Sequence, residues 1–81
     1  MPVIFRYKGY RVFFYSNEGN PREPLHVHVQ RGEALAKFWI DPVVSIANNY
    51  GLSGSEMAEL MQMIETRRSV IEEAWHEFFG E

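Results

Sequence analysis

Apolar and polar residues alternate along the first half of the chain and fall into a helical period along its last third. Val3 to Tyr7 and Tyr10 to Tyr15 are rich in β-branched and aromatic residues. Lys8-Gly9 separates them, as in a hairpin with a two-residue turn in which Gly9 takes positive φ. Pairing across that turn sets Tyr7 opposite Tyr10, Phe5 opposite Val12 and Val3 opposite Phe14, an apolar face. Ile4, Arg6, Arg11, Phe13 and Tyr15 fall on the other face. Leu25 to Gln30 and Glu33 to Ile40 read as a second hairpin around Arg31-Gly32. Its pairing places Val29 with Ala34, Val27 with Ala36 and Leu25 with Phe38 on an apolar face. The opposite face carries His26 across from Lys37 and His28 across from Leu35, beside Gln30, Glu33 and Trp39. Each hairpin alone gives one apolar and one mixed face, the pattern of a sheet covered on one side.

The segments between these elements are marked by turn residues. Ser16 to Pro24 holds Gly19, Pro21, Pro24 and two asparagines and reads as a loop. Pro21 and Pro24 restrict it, so Arg22 and Glu23 are held beside the histidine strand. Asp41-Pro42 ends the fourth strand, because proline removes a ladder donor. Val43 to Ala47 is either a short fifth strand or an extended link, and Asn48-Asn49-Tyr50-Gly51 is a turn. Ser53 followed by Glu56 is a capping-box signature. From there Met57, Leu60, Met61, Ile64, Ile71, Ala74, Trp75 and Phe78 keep helical spacing. A single helix over 55–79 would be about 37 Å long. It either breaks near Thr66-Arg67-Arg68, where the stripe turns polar, or projects towards a partner; one helix is the expectation adopted. The fold class expected is α+β, a four-stranded antiparallel sheet of two β-hairpins with a long C-terminal helix on one face. Residues 1–81 form a single domain.

Composition narrows the class. Eighty-one residues supply a small core, and an aromatic content of 15% suits one, because large rings bury much area per residue. There is no cysteine, hence neither a disulfide framework nor a thiolate metal site. The opening residues lack the apolar run of a signal peptide, and no apolar stretch reaches the roughly 18 residues of a membrane span. A cytoplasmic bacterial protein without a membrane segment is expected. The net charge of −3 hides an asymmetry: six basic against four acidic residues over 1–55, and two arginines against seven glutamates over 56–81.

With the helix on the apolar face, the other face would expose Arg6, Arg11, His26, His28 and Lys37 among Phe13, Tyr15 and Trp39. Cations interleaved with aromatics on an open sheet are what single-stranded RNA binding uses. His26 and His28 at i, i+2 point to one side of a strand. With Glu33, or with Glu18 or Glu23, they would make a divalent-metal site. No cofactor is required by the sequence. With His26 or His28 as acid or base, the face would give a metal-independent endoribonuclease, the phosphorane being stabilised by Arg6, Arg11 or Arg22. The plain alternative is that both histidines are structural. His76 reads as a solvated or packing residue of the helix.

The opening Met1-Pro-Val-Ile-Phe-Arg-Tyr-Lys-Gly-Tyr-Arg-Val-Phe-Phe-Tyr-Ser-Asn-Glu-Gly19 carries a family resemblance. Arg22-Glu-Pro-Leu-His-Val-His-Val29, Ala36-Lys-Phe-Trp-Ile-Asp41 and Glu73-Ala-Trp-His-Glu-Phe-Phe79 continue it. Together they resemble the small bacterial domain-of-unknown-function family 4160 over nearly the whole chain. Leu25 stands where that family's pattern has a second proline before the histidines. The resemblance implies a two-gene module similar to toxin–antitoxin pairs, with a small protein from a neighbouring gene as partner. The function expected is a partner-binding component using the His26/His28 face. A ribonuclease-like toxin or RNA-binding domain and a His-x-His metal protein are the alternatives, with a homodimer through the helix as a further assembly. The balance leans away from an enzyme.

Overall fold

Lys8 and Gly9 lie at φ 48° and 84°. Positive φ at both central residues is the geometry whose twist matches a two-residue hairpin. That turn joins β1 (Val3–Tyr7) to β2 (Tyr10–Phe13), and the chain continues through β3 (His26–Arg31), β4 (Ala34–Trp39) and β5 (Ser45–Tyr50). Two helices follow, α1 (Gly54–Thr66) and α2 (Arg68–Phe79). The computed structural model describes residues 3–15 and 23–80. The strands run antiparallel in sequence order, β1-β2-β3-β4-β5.

The α+β class stands, but the sheet has five strands where four were expected. The fifth includes Asn48, Asn49 and Tyr50, which the sequence assigned to a turn; they pair with Lys37, Ala36 and Leu35. Asparagine is a poor strand former, yet without β5 the edge of β4 would be open, and tertiary pairing outweighs the local preference. The turn falls instead at Gly51, φ 86°.

Register differs at two further places. The expected pairs Tyr7–Tyr10 and Phe5–Val12 form, but Val3 meets Phe13 because β1 is irregular between Val3 and Phe5. In the second hairpin the turn is one residue later, with Gly32 at φ 61°, so Arg31 faces Ala34 and Gln30 faces Leu35. Every partner moves by two, which preserves the faces because side chains alternate with period two. His28 is therefore opposite Lys37, and His26 opposite Trp39.

The expected single helix is two. Ser53 accepts from the Glu56 N–H while the Glu56 carboxylate accepts from the Ser53 N–H, a complete capping box that starts α1. The break comes at Arg67, φ −106° and ψ 20°, where the apolar stripe fails. The molecule is 34 Å along its longest axis, so a straight helix of about 37 Å would overrun it. At the break the Arg67 guanidinium lies 4.8 Å from the Phe5 ring centroid. Arg68 then pairs with Glu72, 3.0 Å, and donates to the Pro42 carbonyl at 3.2 Å. Gly80, φ 74°, caps the end of α2.

The core lies between the sheet and the helices. Val12, Val27, Val29, Phe38 and Ile40 meet Leu60, Ile64 and Ile71, all fully buried. Burying such a side chain is worth roughly 1.5–3 kcal/mol. Polar rungs edge this face: Tyr7 and Lys8 both donate to Glu59, at 2.8 and 2.9 Å, and Arg31 pairs with Glu56 while lying over the Tyr10 ring.

Candidate functional site

His26 opens β3 and His28 follows on the same side, with ring centroids 5.3 Å apart and the planes perpendicular. The exposed row of cations and aromatics expected here is corrected at His26 and Phe13, which are buried, and largely at His28, which is 8% exposed. The reason is a second cluster of rings at one end of the sheet. His26 meets Trp39 at 5.5 Å and Trp75 at 5.3 Å between centroids. Trp75 in turn meets Phe14 and Phe79. So α2 covers the apolar face and also reaches His26.

Hydrogen bonding gives His26 a fixed role. Its Nδ1–H donates to the Pro24 carbonyl at 2.8 Å, since a carbonyl can only accept. The Glu23 carboxylate stands 4.0 Å from the same nitrogen and 3.1 Å from the Lys37 ammonium. His26 thus ties the incoming chain to the start of β3. His28 stacks against Phe13 at 5.6 Å and meets the edge of Tyr15 at 4.6 Å.

His28 is also a wall of a shallow pocket of about 130 Å³, lined by Tyr15, Leu35, Ala36, Lys37, Asn48 and Tyr50 besides. Asn48 and Tyr50 come from β5 and did not figure among the sequence candidates. The signal that could have found them is the need for a fifth strand beside β4, which brings alternate residues Asn48 and Tyr50 to the histidine face. Tyr50 is the most exposed large side chain here, at 71%.

Lys37 and Arg11, two cations of this face, are engaged. Lys37 lies 4.3 Å from the Trp39 ring centroid as well as on Glu23. Arg11 donates to Gln30 and lies 5.0 Å from the Phe13 ring centroid. Arg6, on β1, is exposed. Arg22 and Glu18 lie outside the described residues. Glu33 does not join the histidines: it sits in the β3–β4 turn, roughly 13 Å along the strand from the level of His28. Among the described residues no group of three His, Cys, Asp or Glu could hold a metal ion. No helix among the described residues is long and apolar enough to cross a membrane. His76 is exposed on α2, away from the other two histidines in sequence and in ring contact.

Glu56, Glu59, Lys8 and Tyr10, whose ionisation is shifted, lie on the other face. The Ser53 N–H and hydroxyl hold the Glu56 carboxyl below the usual range, with Arg31 adding to the effect. Hydrogen bonds from Lys8 and Tyr7 do the same for Glu59, which reciprocally raises Lys8. Burial raises the Tyr10 phenol. These shifts belong to the helix–sheet contacts, outside the histidine pocket.

No curated protein and no solved structure matches the chain. A domain family of unknown function, DUF4160, matches residues 9–76, a span that contains β2 to β5, the whole histidine pocket and α2 as far as His76. The chain belongs to that family.

Proposed function

We propose that this chain is the partner-binding component of a small two-gene, toxin–antitoxin-like system, and that the pocket beside His28 and Lys37 receives one side chain of the partner. Pocket size carries the reading. Small-molecule sites enclose roughly 300–1,000 Å³, whereas this pocket offers about 130 Å³. That suits an anchoring side chain better than a nucleotide. Around it Tyr15 and Tyr50 are exposed and Trp39 half-buried. An aromatic surface with a few fixed polar groups is the composition of a protein interface.

The ribonuclease alternative draws less support. Cleavage through the 2′-hydroxyl needs one group to take a proton and another to deliver one. His26 is sealed among rings with Nδ1–H committed to Pro24, which leaves His28 as the imidazole beside the pocket. RNA would also have to draw Lys37 from Glu23 and Arg11 from Gln30.

Co-purification with the product of the adjacent gene tests the proposal. Lys37→Glu and Tyr50→Ala should each weaken the complex at least about tenfold, as central interface anchors do. The intact chain expressed alone should leave growth unaffected. Growth arrest relieved by His28→Ala would instead establish the catalytic reading.

A further inference from the structure

A second surface lies at the opposite end of the sheet from β5. Strand β1 is the other edge, and between it and α2 runs a groove of about 600 Å³ lined by Val3, Ile4, Phe14, Val70, Ala74 and Phe78, with Glu73 and Glu77. Its apolar side chains are open: Val3 is 40%, Val70 48% and Phe78 45% exposed. Isolated exposed apolar residues need no explanation, but these belong to one concave surface, and such patches mark interaction sites.

The two carboxylates say what kind of partner fits. Glu56, Glu59 and Glu72 are each paired with a cation, to Arg31, Lys8 and Arg68. Glu73 and Glu77, among the described residues, have no ion-pair partner. They stand four apart on α2, neighbours about 5–6 Å apart on its surface, where like charges repel. The helix therefore holds two unpaired negative charges along an apolar groove, at some cost to itself. A second copy docked groove to groove would bring four carboxylates and no lining cation to the contact, which disfavours the homodimer through the helix. A partner with cations at that spacing removes the repulsion and covers the groove.

We propose that the β1–α2 groove docks a basic amphipathic segment of another protein. Its apolar side chains enter between Val3 and Phe78, and two cations one helical turn apart meet Glu73 and Glu77. This surface is separate from the His28 pocket and does not depend on the function proposed for it.

A fluorescently labelled helical peptide of leucines and lysines, with a leucine–glutamate peptide as control, serves as the probe, read by anisotropy. The lysine peptide should bind and the glutamate peptide should not. Glu77→Lys should weaken binding about tenfold, because an attraction becomes a repulsion. Glu65→Lys, an equal charge change at an exposed position of α1, should leave it within about twofold. Phe78→Ala should weaken it as well, and Lys37→Glu should not. Amide shifts on adding peptide, followed by two-dimensional NMR, should centre on Val3, Val70 and Phe78 in the unmodified chain. Equal weakening by Glu65→Lys, or shifts centred elsewhere, would overturn the proposal, because the attraction would then be one of net charge alone. Self-association abolished by Glu77→Lys would overturn it too, by assigning the groove to a second copy.

Discussion

The indole of Trp75 lies 5.3 Å from the imidazole of His26, centroid to centroid, with the planes at 63°. One residue is on the last helix and the other begins the strand that follows the proline-rich loop. The contact joins the C-terminal end of the fold to the start of β3, and both rings are buried. Trp75 also meets Phe14 at 5.4 Å and Phe79 at 4.4 Å, so its removal would open a cavity shared by α2, β3 and the end of β2. Trp75→Ala should therefore lower stability by about 3–5 kcal/mol, a large share of what an 81-residue domain has. Trp75→Phe should lose less. Urea denaturation followed by circular dichroism measures both.

His26→Phe separates packing from hydrogen bonding. The aromatic ring survives, but the Pro24 carbonyl loses its 2.8 Å donor. Pro24 is exposed, so the change removes only the net worth of one hydrogen bond, about 0.5–1.5 kcal/mol, and the same denaturation experiment should show a loss of that order. No loss would mean that the carbonyl finds water or another donor.

This pair also shows where reading the sequence stops. Alternation put His26 and His28 on the same side of one strand, and that holds, because the period of a strand is fixed by covalent geometry. Which surface is covered depends on how far α2 reaches, and that depends on the break at Arg67. The apolar stripe located the polar interruption but carries no information on the direction taken after it. Hence His26 reads as exposed and is buried against Trp75 of α2, whereas Phe13, also read as exposed, is buried among Arg11, Tyr15 and His28. Asn48 and Tyr50 were missed for a related reason: their strand is specified by the open edge of β4, a partner distant in sequence, rather than by their own propensities. The existence of the two hairpins and of the capping box, whose determinants are local, was legible, although the second turn falls one residue later than its sequence suggests and Val3 pairs with Phe13.

The capping box offers a local test. Ser53 and Glu56 exchange hydrogen bonds of 3.1 and 2.8 Å at the start of α1. Ser53→Ala should cost about 1 kcal/mol. The double replacement Ser53→Ala/Glu56→Ala should cost less than the sum of the single ones, because each residue serves the other. Thermal unfolding of the four proteins closes the cycle.

Ionisation gives the last test. Glu59 is held below its ordinary value of 4.5, first by the hydrogen bond from Lys8 and then by that from Tyr7. Glu56 is held below the same value, first by the Ser53 N–H. A carboxyl whose folded pKa is lowered contributes stability that is complete above its unfolded value and disappears as pH falls through the folded one. Stability should accordingly hold through neutral pH and fall below pH 4.5. Lys8 is raised above 10.5, first by the hydrogen bond to Glu59, so its contribution is complete below that value and is lost as pH rises through the folded one. Tyr10, raised above 10.0 by burial, acts in the same direction, because folding favours its neutral phenol. Glu59→Gln should flatten both limbs, the acidic one directly and the alkaline one by returning Lys8 towards its ordinary value. A pH series of unfolding midpoints for the two proteins reads both effects. Flattening of the acidic limb alone would show that Lys8 draws its stabilisation from something other than Glu59.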